Sequence, residues 1–590
     1  MILNSLLKNT RLMCLAGFLG ITLPQMTAAP IEHIGDRYIM HVSEMELTGE
    51  ESLLDVLMMC PEVISLDGNN IIGGDPFANQ YGKFVIRIDN QEYGLDYATL
   101  LHHFKAREIE SIKVCQNAEV MKGCSSLKKV IDITLRKGEN GVSGRAGLFG
   151  DTYGGGKGIV SVLSQQDDLR ILSHVEGNFQ RTSNSDKDAY QNQSSNTINH
   201  YSHEGAKLNV LWTPTSKDIL EVDAMQTYTR NHFTHSPAEY VRAYHLQADY
   251  TRTLGENGSS ILFTLGAEHI SDNGRTQEES QTFPYQNHST YPFAVVEYAT
   301  PVFTKDLWIT AGFEGGLSIE KNCIADYINH SNYEDFYVQL DYNIGKWGFM
   351  AGERYRIINF RPKQISSVSN WKHTTRNHIY SFSTYYTFTP GHTLQGTFCR
   401  RIFNPEFGDF VTAGDMEGAW KPTYTTDIRN SLANVMELKY TYSKPNLVVS
   451  TSVKNIHQHL IDNDNTLGIG TTAFWHTGIL RLTAGFNYFW ERAETPVEET
   501  SLRDTSYHNF AVFKLAPQLT LPDGWRLTSN LIWCTYRHTA TPAYTPANLY
   551  AEVGVYKNIG KYLTLEGRFH DIASQHFGNR AATIGCTYYF

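Results

Sequence analysis

The chain has 590 residues, with 50 Lys and Arg against 61 Asp and Glu, for a formal net charge of −11. That balance argues against a nucleic-acid-binding surface. Mean hydropathy is −0.35, and beyond the N-terminus no uncharged apolar stretch reaches the roughly 18 residues a spanning helix needs. The predicted elements begin with "MILNSLLKNTRLMCLAGFLGITLPQMTAAP", which has basic Lys8 and Arg11, a short apolar run from Leu12 to Leu23, and small Thr27, Ala28 and Ala29. This order reads as a secretory signal peptide over 1–29. The seven cysteines beyond it are scattered and odd in number, which excludes a disulfide framework. Cys115 and Cys124 are close enough in sequence to pair in an oxidising compartment, and two unpaired thiols are the simpler reading. No CxxC is present, which weakens redox and zinc readings.

Residues 38–137 read as a small α+β unit. In "TGEESLLDVLMMCP", Thr48 as N-cap and Glu51 three residues on form a capping box. Leu53, Leu54, Leu57 and Met58 make one helical face, and Pro61 stops the helix. "KFVIRIDN" alternates as a strand, "DYATLLHHF" predicts a second helix capped by Asp96, and "IESIKVC" and "VIDITLRKG" are strands again.

From about 142 to 590 the helical period vanishes. "ILFTLGAEH", "VQLDYNI", "LVVSTSVK" and "AVFKLAPQL" place apolar residues at alternate positions. Such runs extend to about 10–14 residues, the length of a tilted membrane strand. Short connections, such as 165–168, 213–218, 345–346, 390–392, 522–524 and 560–561, alternate with longer polar stretches at 183–199, 274–288, 361–375 and 403–432. Short turns at one end and long loops at the other are the pattern of an outer-membrane barrel. Placing strands between these connections predicts about 22 antiparallel transmembrane strands. The 12% aromatic content suits interfacial girdles, although a soluble all-β protein is also rich in Tyr. The last strand, "TIGCTYYF", has Ala582, Ile584, Cys586, Tyr588 and Phe590 on one face, which faces lipid in this reading. A barrel of 22 strands is wide enough to need a plug, and the unit at 38–137 is the candidate.

The stretch from Ser52 to Gly138 resembles the plug domain of TonB-dependent receptors. The resemblance rests on Pro61, Asp89, the run Ile109-Glu110-Ser111-Ile112, and Val130, Ile131 and Ile133, in the family's order. "RRIFNPEFGDF" and "ELKYTYSKPNLVVSTSVKN" are similar to the barrel of the same family. Glu62 and Asn90 stand where the family has Gly, and Lys128 and Lys129 replace a Gly pair, so local plug turns are expected to differ. The resemblance implies an outer-membrane transporter of a Gram-negative bacterium, importing a scarce solute with energy from TonB, and no enzyme. It implies that terminal Phe590, with Tyr588, belongs to the signal read by the barrel-assembly machinery. It also implies TonB contact by strand addition through a short N-terminal segment, for which Ile31, Glu32, His33 and Ile34 are the candidates. Outer-membrane lipid and a surface lipoprotein complete the candidate partners. Two alternatives remain open: an uncoupled plugged barrel acting as a surface binding or structural module, and a secretion or assembly channel.

No catalytic pattern appears: HExxH, Gly-x-Ser-x-Gly and paired zinc motifs are absent, and no cofactor or metal is expected. "GDTYGGGKG" lacks the spacing of a phosphate loop and reads as the first long-loop-side hairpin tip. His200 with His203, and His232 with His235, are close pairs that a loop-top metal or haem site would want, but a spacing of three is not specific outside a helix.

Overall fold

A computed structural model describes residues 31–590 apart from single positions and short segments, the longest being 65–71, 74–83, 93–100, 116–128, 365–371, 404–410, 414–421 and 573–580. The signal peptide, Pro61, Asp89, Cys124, His235 and nearly all of the second helix therefore lie outside the described residues.

The N-terminal unit is a six-stranded sheet in the order Ile31–Ile34, Arg37–Met40, Ile109–Cys115, Lys129–Leu135, Phe84–Ile88, Gln91–Glu92. Phe84–Ile88 and Lys129–Leu135 pair in parallel, and the other neighbours are antiparallel. One helix, Leu53–Leu57, packs Leu53, Leu54, Val56 and Leu57 into the same core as Ile86, Ile112, Val114, Ile131 and Ile133. Its cap differs from the expected one. Ser52 is the N-cap, its Oγ accepting from the Asp55 N–H at 3.2 Å, while Asp55 accepts from the Ser52 N–H at 3.0 Å. Both spacings satisfy the capping-box pattern, but only Ser52 sits directly before the apolar run, so the Thr48–Glu51 assignment is corrected. Five residues are too few for a helix to persist alone, so tertiary contacts must hold it.

The expected free segment Ile31–Ile34 is also corrected. It pairs antiparallel with Arg37–Met40 as the edge strand of the sheet, beside the barrel strand Ser431–Lys444.

Residues 141–589 form a closed antiparallel barrel of 22 strands. It closes where Ala581–Tyr589 pairs with Gly141–Asp151, in register from Thr583↔Asp151 to Tyr589↔Arg145. Beyond that register the Phe590 N–H and C=O exchange 2.9 Å bonds with Gly144. A Cβ on Gly144 would stand 2.5 Å from the Phe590 ring, so the seam requires glycine there. Alternation holds as read: Ile584, Cys586, Tyr588 and Phe590 are exposed while Thr587 and Tyr589 are buried.

Several strands exceed the expected length, up to 22 residues in Ser194–Thr215 and Gln281–Val302. The polar stretches at 183–199 and 274–288 continue as paired strands, as far as Lys187↔Ser194 and Glu278↔Gln281. Beyond the lipid a ladder no longer needs an apolar face, so the periodicity that marks a membrane strand fades before the pairing does. Trp212, Trp347, Trp475 and Trp525 face outward beside short turns, the place of an interfacial girdle.

Candidate functional site

The inward faces of the barrel strands are polar and buried, and they meet the plug. The helix Leu53–Leu57 is held at both ends. On its N-terminal side, Glu51 is fully buried and lies 3.8 Å from Arg481 and 3.7 Å from Arg526. Gln518 donates to it at 3.4 Å. Asp55 faces Arg526 at 3.3 Å and Arg568 at 4.0 Å. Arg568 also donates to Ser52 Oγ at 3.4 Å and pairs with Glu552 at 3.4 Å. The Arg526 guanidinium lies 4.1 Å from the centre of the Tyr556 ring. Burial pushes the Asp55 carboxyl up, but Arg526, Arg568 and the Ser52 hydrogen bonds outweigh it and hold it below the ordinary aspartate value. Burial lowers the pKa of Lys105, which bridges to Ser52 through its backbone.

On the C-terminal side, Lys514 donates to the carbonyls of Met58 at 3.0 Å and Cys60 at 3.3 Å, and to that of Val63. A helix C-terminus leaves carbonyls without intrahelical partners, and a cation there satisfies them and favours the dipole. The wall thus supplies what the five-residue helix lacks.

Elsewhere contact is mixed. The Arg145 guanidinium reaches Glu108 at 3.1 Å, Arg107 lies 3.7 Å from the centre of the Tyr589 ring, and the Tyr38 hydroxyl donates to Ser450 at 3.0 Å. Leu172, Met225, Val448 and Phe474 of the wall join the plug core. These contacts come from both sides of the barrel, so the sheet lies in the lumen. The wall is separately braced: Asp335 accepts from Arg354 at 3.0 Å and from Arg356 at 2.7 Å, tying together two adjacent strands.

The sequence-predicted positions have various fates. Ile109, Ile112, Ile131 and Ile133 come together in the plug core, Val130 is buried outside that cluster, and Glu110 is exposed and Ser111 partly so. Tyr588 and Phe590 are outward on the closing strand, with ring centres 6.4 Å apart. The His200–His203 pair does not form a site. Its members are three apart on a strand and face opposite ways: His200 lies 6.3 Å from His232, while His203 is buried against Thr229 and Glu176. Among the described residues no cluster of three or more His, Cys, Asp or Glu could hold a metal. The latch residues Glu51, Asp55, Arg481, Lys514, Arg526 and Arg568 were not anticipated. For Lys514 and Arg526 the visible signal is a lone charge at an inward position of an otherwise alternating strand, in "AVFKLAPQL" and "GWRLTSNL".

No protein-family model and no curated protein matches the chain. Solved structures do. The ferric-catecholate import receptor Fiu from E. coli K12 superposes with a TM-score of 0.68 at 11% identity, covering 96% of this chain and 99% of that one. The siderophore receptor PirA from Pseudomonas aeruginosa gives 0.67 at 10%, covering 95% and 100%. The alcaligin outer-membrane receptor FauA from Bordetella pertussis gives 0.65 at 10%, covering 95% and 96%. The fold implied by the resemblance to TonB-dependent receptors is the fold observed: this chain has the plugged 22-strand barrel of the outer-membrane siderophore receptors.

Proposed function

We propose that the protein is an outer-membrane transporter that imports a scarce solute, of the bulky class that its structural neighbours' names describe as siderophores, by TonB-driven rearrangement of its plug. The observation that carries this reading is the interface between the plug and the barrel. A lumen sealed for good would be filled by continuous apolar packing. Here the helix Leu53–Leu57 meets the wall beside an apolar contact through charges, Glu51 and Asp55 against Arg481, Arg526 and Arg568, with Lys514 on its trailing carbonyls. Charge pairs are specific in geometry and contribute little net stability, yet they fail together once one partner is pulled away. Such a latch suits a part that must sit in one place and still leave it. The work is binding and movement, with no chemistry at the site.

A second reading is favoured by the pairing of Ile31–Ile34 with Arg37–Met40, which commits one edge of the candidate TonB segment to the plug's own sheet. A barrel that never frees this strand is a surface binding module. Strand addition needs an open edge, and one edge of Ile31–Ile34 remains unpaired in the sheet order. The test is retention of the TonB C-terminal domain by the purified protein and by Ile34→Pro, which removes one N–H donor and fixes φ. The importer reading expects retention by the wild type and its loss in the variant, with uptake lost in parallel. Failure of the wild type to retain TonB would leave the binding module standing.

A further inference from the structure

The outer wall carries a patch in which level apolar rows are topped by two arginine–tyrosine pairs. Six neighbouring strands form it: Leu169–Lys187, Ser194–Thr215, Asp218–Phe233, Glu239–Leu254, Ser259–Glu278 and Gln281–Val302. Their registers place outward residues in level rows. One row runs Leu208, Ala224, Leu246, Ala267, which is apolar and notched by its alanines. The next, one pleat nearer the long-loop end, runs Val175, Ala206, Gln226, Tyr244, His269, Thr290. Together they line a shallow depression of about 670 Å³.

Directly above this depression the surface turns cationic and aromatic. Arg230 sits across from Tyr240, and Arg242 across from Tyr228. Each guanidinium lies over the ring of its partner, at 5.7 and 5.5 Å from the ring centres. Both arginines are exposed. His288 stacks on His269 at 6.1 Å on one flank, and His200 faces His232 at 6.3 Å on the other. Glu204 is the acidic residue in the same rows, across from Tyr228.

Height decides what such a patch meets. Arg230 lies about 12 residues along a strand that starts at a short turn, and at about 3.3 Å per residue and a tilt of about 40° that climbs about 30 Å. The apolar band of such barrels is about 25 Å tall. The arginines therefore stand at the headgroup level of the outer leaflet, and the notched rows stand just below it, at the level of the acyl chains. Arginine presents a planar fork that matches phosphate, and its stacking on tyrosine fixes the fork in place.

We infer that this face is a binding site for a phosphate-bearing lipid of the outer leaflet, with Arg230 and Arg242 holding the phosphate and the alanine-notched depression seating an acyl chain. Charge complementarity selects the headgroup, and the adjoining apolar depression selects an amphiphile over a free anion. The site is independent of the solute pathway, since its residues point away from the lumen.

The test uses the full-length protein in a nonionic detergent and native mass spectrometry, with diphosphoryl lipid A as the probe. Its dephosphorylated form, phosphatidylcholine and inorganic phosphate are the comparisons. The wild type should retain diphosphoryl lipid A in preference to the dephosphorylated form, and Arg230→Gln with Arg242→Gln should lower retention at least tenfold. Ala224→Phe, which fills the depression without changing charge, should also lower it. Unheated gel migration confirms that each variant is a folded barrel. Equal retention by the arginine variant, or no preference for the phosphorylated lipid, would overturn the proposal. Retention of inorganic phosphate alone would overturn the lipid assignment.

Discussion

At the residue scale, the plug is held by a few charges that burial makes decisive. Arg526 touches both Glu51 and Asp55; Glu51 and Arg526 are buried and Asp55 is nearly so. Removing one partner of a buried pair leaves uncompensated charge, at a cost of about 3–5 kcal/mol. Arg526→Ala should therefore free the helix Leu53–Leu57 without unfolding the barrel, whose hydrogen bonds run between its own strands. The buried Cys60 thiol reports this opening. With the other cysteines replaced, its reaction with dithiodipyridine should speed up by about two orders of magnitude or more, matching that energy. An unchanged rate would mean that Arg526 does not secure the plug. Acid should act on the same pairs. The Asp55 pKa is lowered in the folded state, so its contribution is fully present above the ordinary value of 3.8 and is lost as pH falls through the lowered one. Cys60 should thus become more reactive below about pH 4, and Asp55→Asn should flatten that dependence. Loss of protection at near-neutral pH would point to another group.

At the scale of elements, the barrel depends on one seam that joins its two ends. Gly144 and Phe590 exchange backbone hydrogen bonds, and the Phe590 ring occupies the space a side chain at 144 would need. Gly144→Val should therefore slow or prevent closure, and deletion of Phe590 should do so by removing the last two bonds of the ladder. The measure is the share of protein that migrates as a compact species in unheated gels, with wild-type levels in both variants counting against the seam. A role for Phe590 and Tyr588 in recognition by the assembly machinery remains a proposal, and both rings are outward and accessible for it. At this scale the sequence was partly misleading. It marked the helix correctly but shifted its cap from Ser52 to Thr48, since both match the same four-residue pattern. It also left Ile31–Ile34 free, because four residues carry too little periodicity to announce a partner strand.

At the scale of the whole molecule, the short turns share one end of the barrel and the polar extensions the other. The aromatic girdle of Trp212, Trp347, Trp475 and Trp525 lies at the short-turn end. We expect an epitope inserted in 403–432 to be reached by antibody on intact cells, and one at Pro522–Gly524 to be hidden until the membrane is opened. Labelling of the second site on intact cells would reverse the orientation on which both the import reading and the lipid site depend. The two sites use opposite faces of the wall. Variants of Arg230 and Arg242 should leave the Cys60 reaction unchanged, because they point away from the plug.

The sequence by itself determined the barrel, its strand number and which residues face lipid. Those properties follow from a period of two and from turn spacing, and both are local: Ile584 and Tyr588 could be placed outward without knowing any neighbour. It also marked Ile109, Ile112, Val130, Ile131 and Ile133 as one group, although the place of the four isoleucines in the plug core needed the fold. Only the tertiary structure decided the latch and the outer patch. Glu51 and Arg526 are separated by most of the chain, and Arg230 meets Tyr240 only through the register of two strands. An isolated charge in an alternating strand reads the same whether it faces water, a plug or a lipid phosphate. What tells these apart is the side of the wall, the height along the strand and the residue opposite, all of which are set when the sheet closes on itself.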